Sequence, residues 1–167
     1  IAVMCASVEG IDIDSLPPEG AAQVLETFLG ASAEIVNGLG GRIDASVGER
    51  VFAVFGYPRD DAQAVFHGVR AAVQLSRAVQ RLGGGFRVSA GVASGQALVG
   101  QVRGDPTDAT VLGAPLWRAA RLADEARDAT PLLVDDASLE LVRGVVTVGK
   151  KKSVRGLGRA WGVSIEE

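Results

Sequence analysis

GGRIDASVGERVFAVFG, residues Gly40–Gly56, is the stretch that decides how this chain is read. Two glycines open it, Ile43, Ala45 and Val47 alternate with polar residues, Gly48-Glu49 supplies a two-residue turn, and the apolar run VFAVF returns. Alternation, tight turn and second apolar run together predict a β-hairpin. Its tip displays Glu49. A carboxylate held there is either a solvated turn residue or an oxygen ligand for a divalent cation.

Working outward, IAVMCASV at the start is an apolar run closed by Glu9-Gly10 and reads as a buried strand. A helix opens at Ser15 or at the Pro17-Pro18 pair and runs to about Asn37, with Val24, Leu25, Phe28, Leu29, Ile35 and Val36 at helical spacing. Beyond the hairpin, Asp60-Asp61 start a second helix whose stripe includes Val65, Val69, Val73, Leu75 and Val79, and Gly83 to Gly85 end it. FRVSAGVASG and ALVGQVRG read as two strands joined around Ser94-Gly95, GDPTD as a turn, and ATVL as a short strand. Leu116 to Ala126 is a compact helix, PLLVDD a strand, Ala137 to Val142 a helical turn or two, and the tail a strand, a basic turn and a strand. Two hairpins interrupt the alternation of strands and helices. The predicted class is therefore α+β with a mixed or largely antiparallel sheet, not a doubly wound parallel one.

A chain of 167 residues supports one sizeable core, so a single domain over 1–167 is expected. A net charge of −3 and a pI near 5.2 argue against nucleic-acid binding through phosphate contacts. Cys5 is the one cysteine, which excludes an internal disulfide. With no secretory leader or spanning apolar run in this segment, a reducing cytoplasm is the expected location. Ile1 already lies inside the first strand, so the segment is expected to belong to a larger multidomain protein.

Five blocks resemble, in the family's order and near its spacing, the catalytic domain of class III adenylyl and guanylyl cyclases: GGRIDASVGERVFAVFGYP, DDAQAVFHGVRAAVQL, VSAGVASGQALVGQV, TVLGAPLWRAARLADEA and VRGLGRAWGV. The resemblance covers nearly the whole chain and implies a ferredoxin-like βαββαβ core with C-terminal extensions. GGRID echoes the GGDEF signature of diguanylate cyclases, but the downstream blocks match the class III family better. In that family two aspartates hold two divalent ions, Mg or Mn, which polarise the α-phosphate while the ribose 3′-hydroxyl attacks it. Here MCASVEGID stands where a pattern like LFADIVGFT is expected, so Ser7 replaces the first aspartate, and Glu49 matches the second as the candidate metal ligand. Ala45 takes the place of the adenine-reading lysine, and Thr110 matches that lysine's partner. LWRAARL puts Trp117 at the ribose-orienting asparagine and Arg121 at the phosphate-stabilising arginine one helical turn later. Arg155 best matches the C-terminal cation, with Lys152 as the alternative, and Gly10 keeps the tight loop whose amides could cradle a phosphate.

Structural readings stand beside these. Trp117 suits a core or interface aromatic, Arg121 a salt bridge to Asp124 or Glu125, and Arg155 with Lys152 a solvated basic turn. His67, the only histidine, lies on a helix whose family counterpart is structural. Removing one preorganised group commonly costs about 10²–10³ in rate, and Ser7, Ala45 and Trp117 remove three, though such losses do not multiply. Sites of this family form between head-to-tail subunits, so a homodimer carries every departure twice. The expected function is a degenerate, bacterial-type cyclase-homology domain. It serves as a dimerisation, nucleotide-binding or regulatory module, pairing with itself or another cyclase-type domain and taking ATP or GTP if any nucleotide. The alternative is an atypical but active cyclase converting ATP or GTP to cyclic nucleotide and pyrophosphate.

Overall fold

Unbroken apolar runs make central strands, and the first of them organises the sheet. The computed structural model describes residues 1–12, 14–101 and 109–166, with only the backbone of Gln101 and Ala109. Its elements are β1 (Ala2–Glu9), α1 (Pro18–Gly38), β2 (Arg42–Val47), β3 (Arg50–Phe55), α2 (Ala64–Gln80), β4 (Arg87–Ser94), β5 (Leu98–Gln101), β6 (Ala109–Leu112), α3 (Ala114–Glu125), β7 (Leu132–Asp135), α4 (Asp136–Val142), β8 (Thr147–Val154) and β9 (Gly158–Ser164). The main sheet has the order β2-β3-β1-β4-β7-β9-β8, and β5 pairs with β6 in a separate ribbon.

β1 runs antiparallel to both β3 and β4, and with α1 and α2 these strands form the expected βαββαβ core. β7 adds in parallel beside β4, and the β8–β9 hairpin closes the far edge. The sheet is therefore mixed, and the α+β expectation holds. No helix among the described residues is long and apolar enough to cross a membrane.

Alternation along β1 divides the core in two. Met4, Ala6 and Val8 join Phe28, Phe55, Val69, Leu75 and Leu139 on the face covered by α1, α2 and α4. Val3 and Cys5 join Ala119, Leu122, Ala123 and Leu133 on the face covered by α3. Gly91 on β4 sets how close α3 lies: a Cβ there would stand 2.4 Å from the Ala119 carbonyl oxygen and 2.4 Å from Leu122 Cβ. Only glycine permits that approach.

Three local features add to or differ from what the sequence shows. The register of β2 against β3 shifts between Ile43 and Ala45, a bulge at Asp44. Ile43 opposes Ala53 and packs in the helix α1–α2 core, whereas Ala45 opposes Phe52 and Val47 opposes Arg50 on the α3 face. One extra residue thus turns the rest of the strand over, and the apolar alternation does not mark one face. The basic run Lys150–Lys152 lies inside β8, and the turn to β9 comes later, after Val154. β4 and β5 are joined around Ser94-Gly95 but belong to different sheets. The GDPTD turn lies outside the described residues.

Candidate functional site

The residues singled out from the sequence fall mainly on the α3 face, in two clusters joined by α3. The first is built by the β1–β3 ladder, which sets Ser7 directly opposite Arg50. Arg50 Nε donates to Ser7 Oγ at 3.0 Å, and Arg50 Nη2 donates to Asp124 Oδ1 near the C-terminus of α3. Burial opposes the Arg50 charge, but the Asp124 carboxylate more than offsets it and holds the guanidinium protonated. Cys5, two residues back along the same face, has its thiol pushed up to about 12 by burial; Arg50 pulls it down and Asp124 raises it. The thiol stays neutral.

Glu49 is exposed at the hairpin turn, and its carbonyl accepts the Val8 amide at 3.0 Å, which fastens the turn to the end of β1. Gly10 follows with φ +89°, and a Cβ there would stand 3.1 Å from the Gly85 carbonyl oxygen. In the loop beyond it the Asp14 amide donates to Asp12 Oδ1 at 3.0 Å, so this amide is already satisfied by a carboxylate. The Ser15 hydroxyl and the Asp14 amide hold the Asp12 carboxyl below its ordinary range.

The second cluster contains the cations. Arg121 Nη2 donates to the Arg155 carbonyl at 3.1 Å and lies 3.7 Å from Glu125 Oε1. Lys152 Nζ donates to the Glu125 carbonyl at 2.9 Å and lies 3.4 Å from Glu125 Oε2. Of the two carboxylates weighed as partners for Arg121, the structure pairs it with Glu125 and gives Asp124 to Arg50. The Arg155 side chain is exposed at the β8–β9 turn. Trp117, one helical turn before Arg121 on α3, is 50% exposed. Ala45 is exposed on β2, and Thr110 lies on β6 in the separate ribbon opposite Gly100, so these two are not brought together by strand pairing. His67 Nδ1 lies 2.6 Å from Asp61 Oδ2 and anchors the start of α2 away from both clusters.

A pair of divalent ions needs several hard, anionic oxygens converging on one point. The residues here do not fit that need. Ser7 offers a neutral hydroxyl already engaged by a guanidinium, Cys5 a neutral thiol, and Glu49 one exposed carboxylate. No group of three or more His, Cys, Asp or Glu side chains converges among the described residues. Sequence reasoning missed Arg50 and the role of Asp124. The signal was slight: Arg50 immediately follows Glu49, and only the ladder register reveals that it faces Ser7.

A cavity of about 510 Å³ lies on the other face, between α2 and the β7–β9–β8 edge, and touches Val73, Arg77, Leu132, Lys150 and Val163. It is lined by none of the residues in the two clusters.

No family model matches the sequence, and neither does any curated protein. Solved structures do match the fold. The guanylyl cyclase Cya2 superposes with a TM-score of 0.84 at 22% identity, covering 99% of this chain and 92% of that one. The adenylyl cyclase CyaB from P. aeruginosa gives 0.86 at 20% identity, covering 99% and 94%. The guanylate cyclase domain of RhGC from Catenaria anguillulae, solved in complex with GTP, gives 0.83 at 15% identity, covering 99% and 96%. The chain has the fold of class III adenylyl and guanylyl cyclase domains. Identities this low carry architecture and not activity.

Proposed function

We propose that this chain is a cyclase-type domain that has lost nucleotide cyclisation and works as a dimerising, nucleotide-binding regulatory module of a larger cytoplasmic signalling protein. The observation that supports this most is the engagement of Ser7 Oγ by Arg50, where metal-dependent catalysis calls for a carboxylate. A neutral hydroxyl bonded to a fixed cation cannot share two divalent ions. Ala45 and Trp117 add to this reading, since Ala45 has no polar side-chain atom for a base and the Trp117 indole has one N–H donor and no acceptor where an amide is called for at the ribose.

Cations remain for binding. Arg121, Lys152 and Arg155 gather around the α3–β8–β9 junction and suit the phosphates of ATP or GTP, with Thr110 as the residue left for the base and the Gly10 loop close to the end of β1. Dimerisation is favoured by apolar side chains left exposed on the ribbon and α3: Leu98 and Leu112, which face each other across β5–β6, and Trp117. The partner is a second copy or another cyclase-type domain.

The test is turnover. Purified chain incubated with ATP or GTP and Mg or Mn is expected to form no cyclic nucleotide above a protein-free control. Cyclic product that disappears in Arg121→Ala would overturn the proposal in favour of an active, atypical cyclase.

A further inference from the structure

The misfit between this donor set and a divalent ion has a positive side. Arg50 sits between the two positions at which the resemblance places metal ligands: its backbone follows Glu49, and its side chain reaches Ser7. Its guanidinium is held at two points, by the Ser7 hydroxyl from β1 and by the Asp124 carboxylate from α3, with the side chain 29% exposed. Two of its five N–H groups are engaged in this way, and the others have no partner among the described residues. A planar cation fixed at two points is preorganised to hold phosphate oxygens, a task for which arginine suits better than lysine.

We infer that Arg50 is this chain's built-in replacement for the divalent ion, forming with Ser7 and Asp124 a subsite that takes the oligophosphate of a nucleotide without metal. This rests on the nucleotide-binding half of the proposed function and adds to the Arg121, Lys152 and Arg155 cations a second phosphate contact, at the place where a metal would otherwise stand. Asp124 has two parts in it. It fixes the guanidinium in place, and its charge competes with the incoming phosphate, so it sets the affinity as well as the geometry.

That double part makes the inference testable by opposite effects. Calorimetric titration of the full chain with ATP, GTP and inorganic tripolyphosphate, in EDTA and again in Mg, is expected to give affinities equal within a factor of about two in the two buffers. Arg50→Gln is expected to weaken ATP and tripolyphosphate binding about tenfold, while Asp124→Asn tightens both, as removal of a competing charge requires. A purely structural role for the pair would weaken binding in both variants and would overturn the inference. If Arg50→Gln fails to fold, tightening in Asp124→Asn still supports the subsite and loosening still overturns it. Binding seen only with Mg overturns the metal-free subsite and leaves nucleotide binding standing. Binding of ATP without tripolyphosphate also overturns it, since the base then carries the affinity. Tripolyphosphate binding as tight as ATP supports the subsite but overturns the nucleotide assignment, and no binding in either buffer overturns both.

Discussion

Arg121 Nη2 donates to the Arg155 carbonyl at 3.1 Å, so the C-terminal half of α3 is tied to the turn of the β8–β9 hairpin. Lys152 approaches the same place from β8 and meets Glu125, one helical turn beyond Arg121. Arg121 is thereby held by the Arg155 backbone, and Arg121 and Lys152 share the Glu125 carboxylate.

Arg121→Ala removes that hydrogen bond and the long contact to Glu125. Because the side chain is about one-third exposed, the expected loss is small, about 0.5–1.5 kcal/mol by urea denaturation. Amide exchange at residues 155–157 should quicken while β7 stays protected. Unchanged exchange at the turn would show that the bond does not tether it.

Gly91 and Gly30 should respond in opposite directions to added side chains. Gly91→Val drives carbon into the backbone of α3 and is expected to cost about 1–3 kcal/mol or more, with a lower Tm. Gly30 lies in the interior of α1 with nothing within 4 Å of a new Cβ, so Gly30→Ala is expected to stabilise by about 0.5–1 kcal/mol. A Gly91→Val protein with wild-type Tm would mean that α3 does not rest on β4 as described.

The acid limb of stability should report on Asp61 and Asp136. Burial raises the Asp61 carboxyl, but the His67 hydrogen bond and the Gln63 amide outweigh it and leave the group below its ordinary range. The Trp161 indole holds Asp136 low, partly opposed by desolvation and helped by Arg159. Groups with depressed folded pKa values contribute stability that is complete above the unfolded value, about pH 4, and is lost as pH falls through the folded value. Thermal melts should therefore drop below about pH 4, and the Asp61→Asn/Asp136→Asn double variant should decline less steeply there. An identical slope in wild type and variant counts against both interactions.

Leu98 and Leu112 are cross-strand neighbours, both exposed, and if the chain forms the dimer proposed above, a charge on either should weaken it without disturbing the main sheet. Leu98→Asp is expected to raise the dimer dissociation constant at least about tenfold in sedimentation equilibrium, the effect of losing one anchoring apolar contact, with an unchanged far-UV spectrum. A wild-type sedimentation profile in the variant would move the interface elsewhere.

Much of this protein was legible in its sequence. Apolar runs, helical stripes, Pro17-Pro18 and the Gly48-Glu49 turn encode their elements within a few residues of themselves, and five collinear blocks pointed to the cyclase fold the chain adopts. What the sequence withheld depends on separation along the chain. Ser7 and Arg50 are 43 positions apart and Arg50 and Asp124 are 74 apart, so only the β1–β3 register and the seating of α3 on Gly91 make them neighbours. The bulge at Asp44 was equally hidden, because one inserted residue leaves the composition of the strand unchanged while turning Ala45 and Val47 to the opposite face. Local preference set which elements form; packing between distant segments decided which charges meet.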